Sequence, residues 1–211
     1  MPTIPLYIQK KLFCKKKDDI ISLMKTIILA SGSDRRKDIL KKFGIKFKVI
    51  KSNYREDLKA ASDPHKLAQK MSLGKAKKVY KNNKEDIIIA ADTLVVCENQ
   101  ILAKPKSKKH AKEMLSLLSG KMHRVITGFT IINGESGEII NKSEETKVFM
   151  RKITSGEMDW YISTKEPFGK AGGYALQGKA GIFIKKVEGD FFNAVGLPIY
   201  SIIKILKLFL V

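Results

Sequence analysis

The chain has 211 residues, 44% of them hydrophobic, enough for one large or two small globular units with a sizeable core. No apolar run reaches the length of a membrane-spanning helix, and two cysteines in unlike surroundings, Cys14 and Cys97, give neither a disulfide framework nor a zinc spacing. The formal net charge of +20 is carried mostly by lysine spread over almost every segment, without the arginine and aromatic clusters of a nucleic-acid reader. The expected setting is therefore reduced and cytoplasmic, with an anionic small-molecule ligand and no stable nucleic-acid or membrane partner.

Residues 1–24 read as a flexible or peripheral extension: a patchy apolar start, the run Lys15-Lys16-Lys17, then Asp18-Asp19. A secretory signal would place its charges first and end in small residues. Met24 reads as the start of the compact protein, and residues 25–211 as a single domain. The stretch Thr26 to Leu40 (TIILASGSDRRKDIL) organises that domain. A strand empties through Ser31-Gly32-Ser33 into a helix that opens at Asp34-Arg35-Arg36, leaving free N–H groups and a positive dipole end at one point. That point suits a phosphate, and two arginines add planar donors for its oxygens.

Ile45 to Ile50 alternates apolar residues with lysine, as a half-buried strand does, and a polar stretch follows that carries Glu56-Asp57. Pro64 to Tyr80 reads as a helix capped by Asp63, and Asp86 to Val96 as the most buried strand, carrying Asp92. Beyond a turn at Glu98-Asn99-Gln100, Ser107 caps a helix with the stripe Ala111, Met114, Leu115 and Leu118, which Ser119-Gly120 ends. His123 to Asn133 and Gly137 to Phe149 read as two strands, and Ser155 as the cap of a short helix over Met158 to Ile162. A glycine-rich stretch from Lys165, a strand over Ile182 to Val187, a loop over Asp190 to Pro198 and a terminal helix from Ile199 complete an α/β (mixed α+β) chain.

Asp92 stands out, since an ionised carboxylate among apolar neighbours needs a partner, a hydrogen bond or a metal. Arg35, Arg36, Lys75 and Lys104 are phosphate-ligand candidates on neighbouring elements, and Glu56 is a second carboxylate. Two carboxylates among cations suit a hard divalent ion whose shell substrate phosphates complete. His123 reads as a strand-edge histidine bonded to Thr127 or solvent, and Trp160 and Tyr161 as core. The run Gly169 to Gly178 suits a loop that wraps a ligand, with Gln177 offering donor and acceptor to a base edge.

Together, LASGSDRR, AADTLVV, ILAKP, MLSLLSGKMHRVITG, EPFGKAGGYALQG and GDFFNAVGLP, in that order, resemble the Maf family of nucleoside triphosphate pyrophosphatases, the septum-formation proteins. The resemblance runs from near Lys25 to the C-terminus. It implies a long mixed central sheet flanked by helices, two lobes around a nucleotide cleft, a homodimer, and metal-dependent hydrolysis of a nucleoside triphosphate to monophosphate and pyrophosphate. By the same resemblance Asp92 is the catalytic base, and Glu56 with Asp92 holds Mg2+ or Mn2+. Ser31, Ser33, Arg36, Lys75 and Lys104 bind phosphates, and Arg35, Thr93 and Gln177 distinguish substrates. The late loop looks like that of the subfamily acting on dTTP and UTP. The alternatives are the sister subfamily acting on 7-methyl-GTP, which has glutamate where Gln177 stands, and a non-catalytic, nucleic-acid-binding division regulator. Asp34, Ala103 and Gly169 depart from the family pattern of proline, glycine and aspartate.

Overall fold

The computed structural model describes residues 26–57 and 60–209. The extension expected over residues 1–24, with Cys14, lies outside them. The organising element is β3 (Ile87–Cys97), in which every residue but Thr93 is buried. Its nearly continuous apolar sequence reflects a strand covered on both faces. Among the described residues seven strands form one mixed sheet in the order β2-β1-β3-β5-β6-β7, with β4 attached to β3. β1 (Ile27–Leu29) runs parallel to β2 (Lys48–Val49) and to β3. β4 (Gln100–Leu102), β5 (Met122–Asn133), β6 (Ile139–Met150) and β7 (Ile184–Glu188) complete the sheet through antiparallel pairs.

One detail of register positions everything that follows. β5 pairs with β3 along nearly its whole length, but the opposite edge is shared: β1 pairs with Ile87 to Ile89 and β4 with Val95 to Cys97. Between them, Ala90 to Leu94 have no strand on that side among the described residues. Asp92 and Thr93 sit in this gap.

Side chains alternate across a strand, so neighbouring residues of β3 serve different layers. Ile88, Ala90, Leu94 and Val96 pack on the face covered by α2 (Pro64–Tyr80). Ile87, Ile89 and Ala91 pack on the other, under α1 (Asp34–Lys42) and the terminal α6 (Ile199–Phe209). A further core joins Val95 and Cys97 to α3 (Lys108–Leu118) and α4 (Ser155–Ser163). Asp63 starts α2 as expected, its carboxylate accepting from the His65 and Lys66 amides at 2.7 and 3.0 Å, with Pro64 at the first position. Gly128 of β5, directly opposite Asp92, lets α2 lie hard against the sheet: a Cβ there would be 2.2 Å from the Ala68 carbonyl.

Several expectations need correction. Trp160, expected in the core, is 45% exposed, and the strand expected over Ile182 to Val187 is Ile184–Glu188. The strand read over Ile45 to Ile50 shrinks to Lys48–Val49, both exposed at the sheet edge, while Ile45 and Phe47 pack on the core beneath. Thr154, not Ser155, caps α4, in a capping box with Glu157. The loop read over Asp190 to Pro198 contains α5 (Phe191–Val195), capped by Asp190 and ended by Gly196 at φ 117°. His123 is no edge residue; it is 1% exposed, with Nε2 2.6 Å from the Tyr174 hydroxyl.

A Gly128→Ala chain should lose about 3 kcal/mol in denaturant titration, because the added methyl meets backbone rather than a side chain that can turn away. A loss under a few tenths of a kcal/mol would show that α2 can retreat. Burial holds the His123 imidazole down from 6.5 to about 4. Between those values the unfolded chain binds more protons than the folded one. Stability is thus full above pH 6.5 and falls as pH drops towards 4, by about 3 kcal/mol from this group. Comparing His123→Phe with the parent chain across that range should show a smaller acid-dependent loss in the variant; equal losses would place the acid sensitivity elsewhere.

Candidate active site

The gap in the sheet opens into a cleft of about 1100 Å³. Its first wall is the Ser31-Gly32-Ser33 turn between β1 and α1. Ser33 holds the N-cap position in extended conformation and makes no side-chain cap bond, so the first-turn amides of α1 stay available to an anion. Asp34 turns outward: its side chain is 88% exposed and meets Lys37 at 2.8 Å, so its charge is answered on the surface. Lys51, which the sequence reading did not single out, passes its stem over Gly32, with Cε 3.1 Å from where a Cβ would stand.

Arg36 is committed to the frame as well as to the cleft. Nε donates to the Gly196 carbonyl at 2.8 Å, Nη1 to Ser31 Oγ at 3.1 Å and Nη2 to Thr93 Oγ1 at 3.0 Å. Thr93 Oγ1 also lies 3.0 Å from Thr127 Oγ1, whose hydroxyl donates to the Asn193 carbonyl. One guanidinium thus joins the phosphate-type loop, β3 and the end of α5. Three of its five N–H groups are used in this way, and two remain.

The second wall carries the carboxylates. Lys75 Nζ, on α2, donates to Glu56 Oε1 at 2.7 Å and to Asp92 Oδ1. Lys104 Nζ stands 3.9 Å from Glu56 Oε2. Asp92 is 6% exposed and Lys75 8%, so the ion pair is held away from water. Burial pushes the Glu56 carboxyl up, but the Lys75 hydrogen bond and charge, followed by Lys104, bring it below its usual value. Glu56 reaches this point because Tyr54, two residues before it, lies against Gly74 of α2; a Cβ on Gly74 would be 2.4 Å from the ring. A glycine inside a helix, beside a candidate phosphate lysine, was the sequence signal for that contact.

The third wall belongs to the other lobe, where Pro105, Lys106, Gly169, Lys170 and Tyr174 face the cleft. Arg35 reaches across to it. Its guanidinium has no hydrogen bond or ion pair among the described residues, and it interacts electrostatically with Tyr161, Tyr174 and Lys170. Burial lowers its pKa, with the two tyrosines opposing the shift. Nine of the ten site residues expected from the sequence, Ser31, Ser33, Arg35, Arg36, Glu56, Lys75, Asp92, Thr93 and Lys104, line this one cleft. Gln177 does not; it is exposed beyond the rim, on the loop that carries Tyr174 and Leu176 into the lining.

A divalent cation can be tested against these donors. No three His, Cys, Asp or Glu side chains converge among the described residues. Glu56 and Asp92 supply two carboxylates on one ammonium, which is the partial shell Mg2+ uses when phosphate oxygens and water complete it. These two donors fit such an ion only if further ligands come from outside the described residues.

Gly74→Ala should raise helix propensity by up to about 1 kcal/mol, yet turn Tyr54 aside and loosen Glu56. The expected result is an unchanged or raised melting temperature with the affinity of the cleft for tripolyphosphate down roughly tenfold. Unchanged affinity would release Tyr54 from any role in placing Glu56.

The model of the Maf-like protein family matches residues 26–209. The chain is 44% identical over 186 residues to a Bacillus cereus (strain G9842) protein named dTTP/UTP pyrophosphatase, covering 88% of this chain and 96% of that relative. A Bacillus anthracis protein of the same name matches with the same identity and coverage. Every wall of the cleft falls inside the matched span, and on these grounds the chain belongs to the Maf-like protein family.

Proposed function

We propose that this chain is a nucleoside triphosphate pyrophosphatase that hydrolyses dTTP and UTP to the monophosphate and pyrophosphate. The observation that carries the reading is the buried Asp92 at the open edge of β3, with Lys75 and Glu56 on one side and the Ser31 to Ser33 turn on the other. The named activity of relatives 44% identical over most of the chain supports the choice of nucleotide.

In this reading the uncapped amides of α1, with Ser31 and the remaining N–H groups of Arg36, receive the phosphate chain. Lys104 adds charge from the opposite rim. Asp92 is the general base. It takes a proton from the water that attacks the α-phosphorus; a P–O bond forms to that water, and the α–β bridging bond breaks with its electrons on the departing pyrophosphate. Lys75 steadies the two carboxylates and offers its ammonium to the phosphate charge. A divalent cation, Mg2+ or Mn2+, held by Glu56 and Asp92 would neutralise phosphate charge and acidify the attacking water. Arg35 and Thr93 in the cleft, with Gln177 on the loop beyond the rim, read the sugar and base. A homodimer working in the cytoplasm, without a nucleic-acid partner, belongs to the same reading and rests on the family resemblance.

The test is pyrophosphate release from a panel of dTTP, UTP, 7-methyl-GTP and the other common triphosphates with Mg2+ and Mn2+. dTTP and UTP should lead, and Asp92→Asn should lose about 10²–10⁴-fold in kcat with an unchanged circular dichroism spectrum. Full activity in that variant would remove Asp92 as the base. Turnover of no triphosphate, together with tight salt-sensitive DNA binding, would replace the enzyme with a binding protein.

A further inference from the structure

The loop between α4 and β7 contributes Lys170, Tyr174 and Leu176 to the cleft, yet Lys165, Gly169, Gly172 and Gly173 all have positive φ along it. Such a chain needs something to hold its shape. One residue outside the cleft lining, Glu166, bonds to both ends of it and to α4, through its carboxylate and its backbone carbonyl. Glu166 Oε1 accepts from the Tyr161 hydroxyl at 3.0 Å, and Oε2 accepts from the Lys179 amide at 3.1 Å. The Glu166 carbonyl accepts from Lys170 Nζ at 2.6 Å. Gly178 makes room for the contact, since a Cβ there would lie 2.4 Å from Glu166 Oε1.

These bonds join the two ends of the segment from Lys170 to Gly178 and fasten both to the core. Tyr161 is fully buried and packs edge-on against Phe183, with ring centroids 5.6 Å apart. The segment so closed carries Tyr174 and Gln177, and Arg35 approaches it through Tyr161 and Tyr174. Neither Asp92, Lys75 nor Glu56 touches Glu166.

We infer that Glu166 is a positioning residue for substrate discrimination: its carboxylate ties the Lys179 end of the glycine-rich loop to Tyr161, a clasp that holds the shape that presents Tyr174 to the nucleotide. The inference rests on the pyrophosphatase reading for what the loop recognises, but not for the clasp itself. Because the clasp is remote from the base, its loss acts on binding and choice of base rather than on bond cleavage.

Two measurements on Glu166→Ala and Glu166→Gln test it. In steady-state kinetics Glu166→Ala should raise KM for dTTP roughly tenfold with kcat within about threefold, and cut the preference for dTTP over dCTP by at least about fivefold. Glu166→Gln keeps an acceptor for the Lys179 amide and should recover most of both. Amide exchange in the substrate-free protein should quicken between residues 170 and 180 in Glu166→Ala and stay slow in β3. A fall in kcat with KM and base preference unchanged would overturn the inference, as would unaltered exchange. A wild type that releases no pyrophosphate from any triphosphate would remove the loop's role in recognition along with the enzyme reading, whereas the exchange result would still report on the clasp.

Discussion

The architecture turns on one buried cation, the Lys75 ammonium held between Glu56 and Asp92. Lys75 and Asp92 are buried while Glu56 stands partly in water, so it is the Lys75–Asp92 pair that stands only while both are present; removing one partner of a buried pair leaves an uncompensated charge, at a cost of about 3–5 kcal/mol. The constraint reaches outward. Asp92 comes from the central strand, Lys75 from a helix laid on it, and Glu56 from the stretch that follows the edge strand. For the helix to come close enough, β5 must be bare at Gly128; for the stretch to come close enough, the helix must be bare at Gly74. Two absent methyl groups place the charges.

The cations of the cleft divide into two kinds. Arg36 is a framework residue, with its hydrogen bonds running to Ser31, Thr93 and Gly196. Arg35, the next residue along the same helix, makes no such bonds among the described residues and leans towards the opposite lobe. Adjacent residues of a helix point about 100° apart, which lets one arginine brace the floor while the other faces the open cleft.

Much of this was legible in the sequence because the relevant signals are local. The near-continuous apolar run of β3, the Asp63-Pro64 start of α2 and the Ser107 cap of α3 each follow from a few neighbouring residues, and each is where the pattern put it. Non-local features escaped. The hydrogen bond of His123 is to Tyr174, 51 residues away, so no periodicity could show it. Trp160 and Tyr161 both read as core, but Trp160 is 45% exposed while Tyr161 is fully buried, a difference set by how α4 meets Phe183. Nine of the ten site residues that the sequence singled out line one cleft, whereas Lys51, Tyr54 and Glu166 drew no notice, because what they do depends on what they touch across the fold.

The stretch of β3 from Ala90 to Leu94, paired with β5 on one edge and open on the other among the described residues, carries a last consequence. An open strand edge ordinarily invites another chain to add itself as a further strand, and proteins blunt such edges with charge, twist or cover. Here the opening is five residues long among the described residues, and β1 and β4 cover the edge on either side of it. By dividing one edge between two short strands, the sheet shortens the run that an added strand could use while leaving Asp92 and Thr93 open to the cleft.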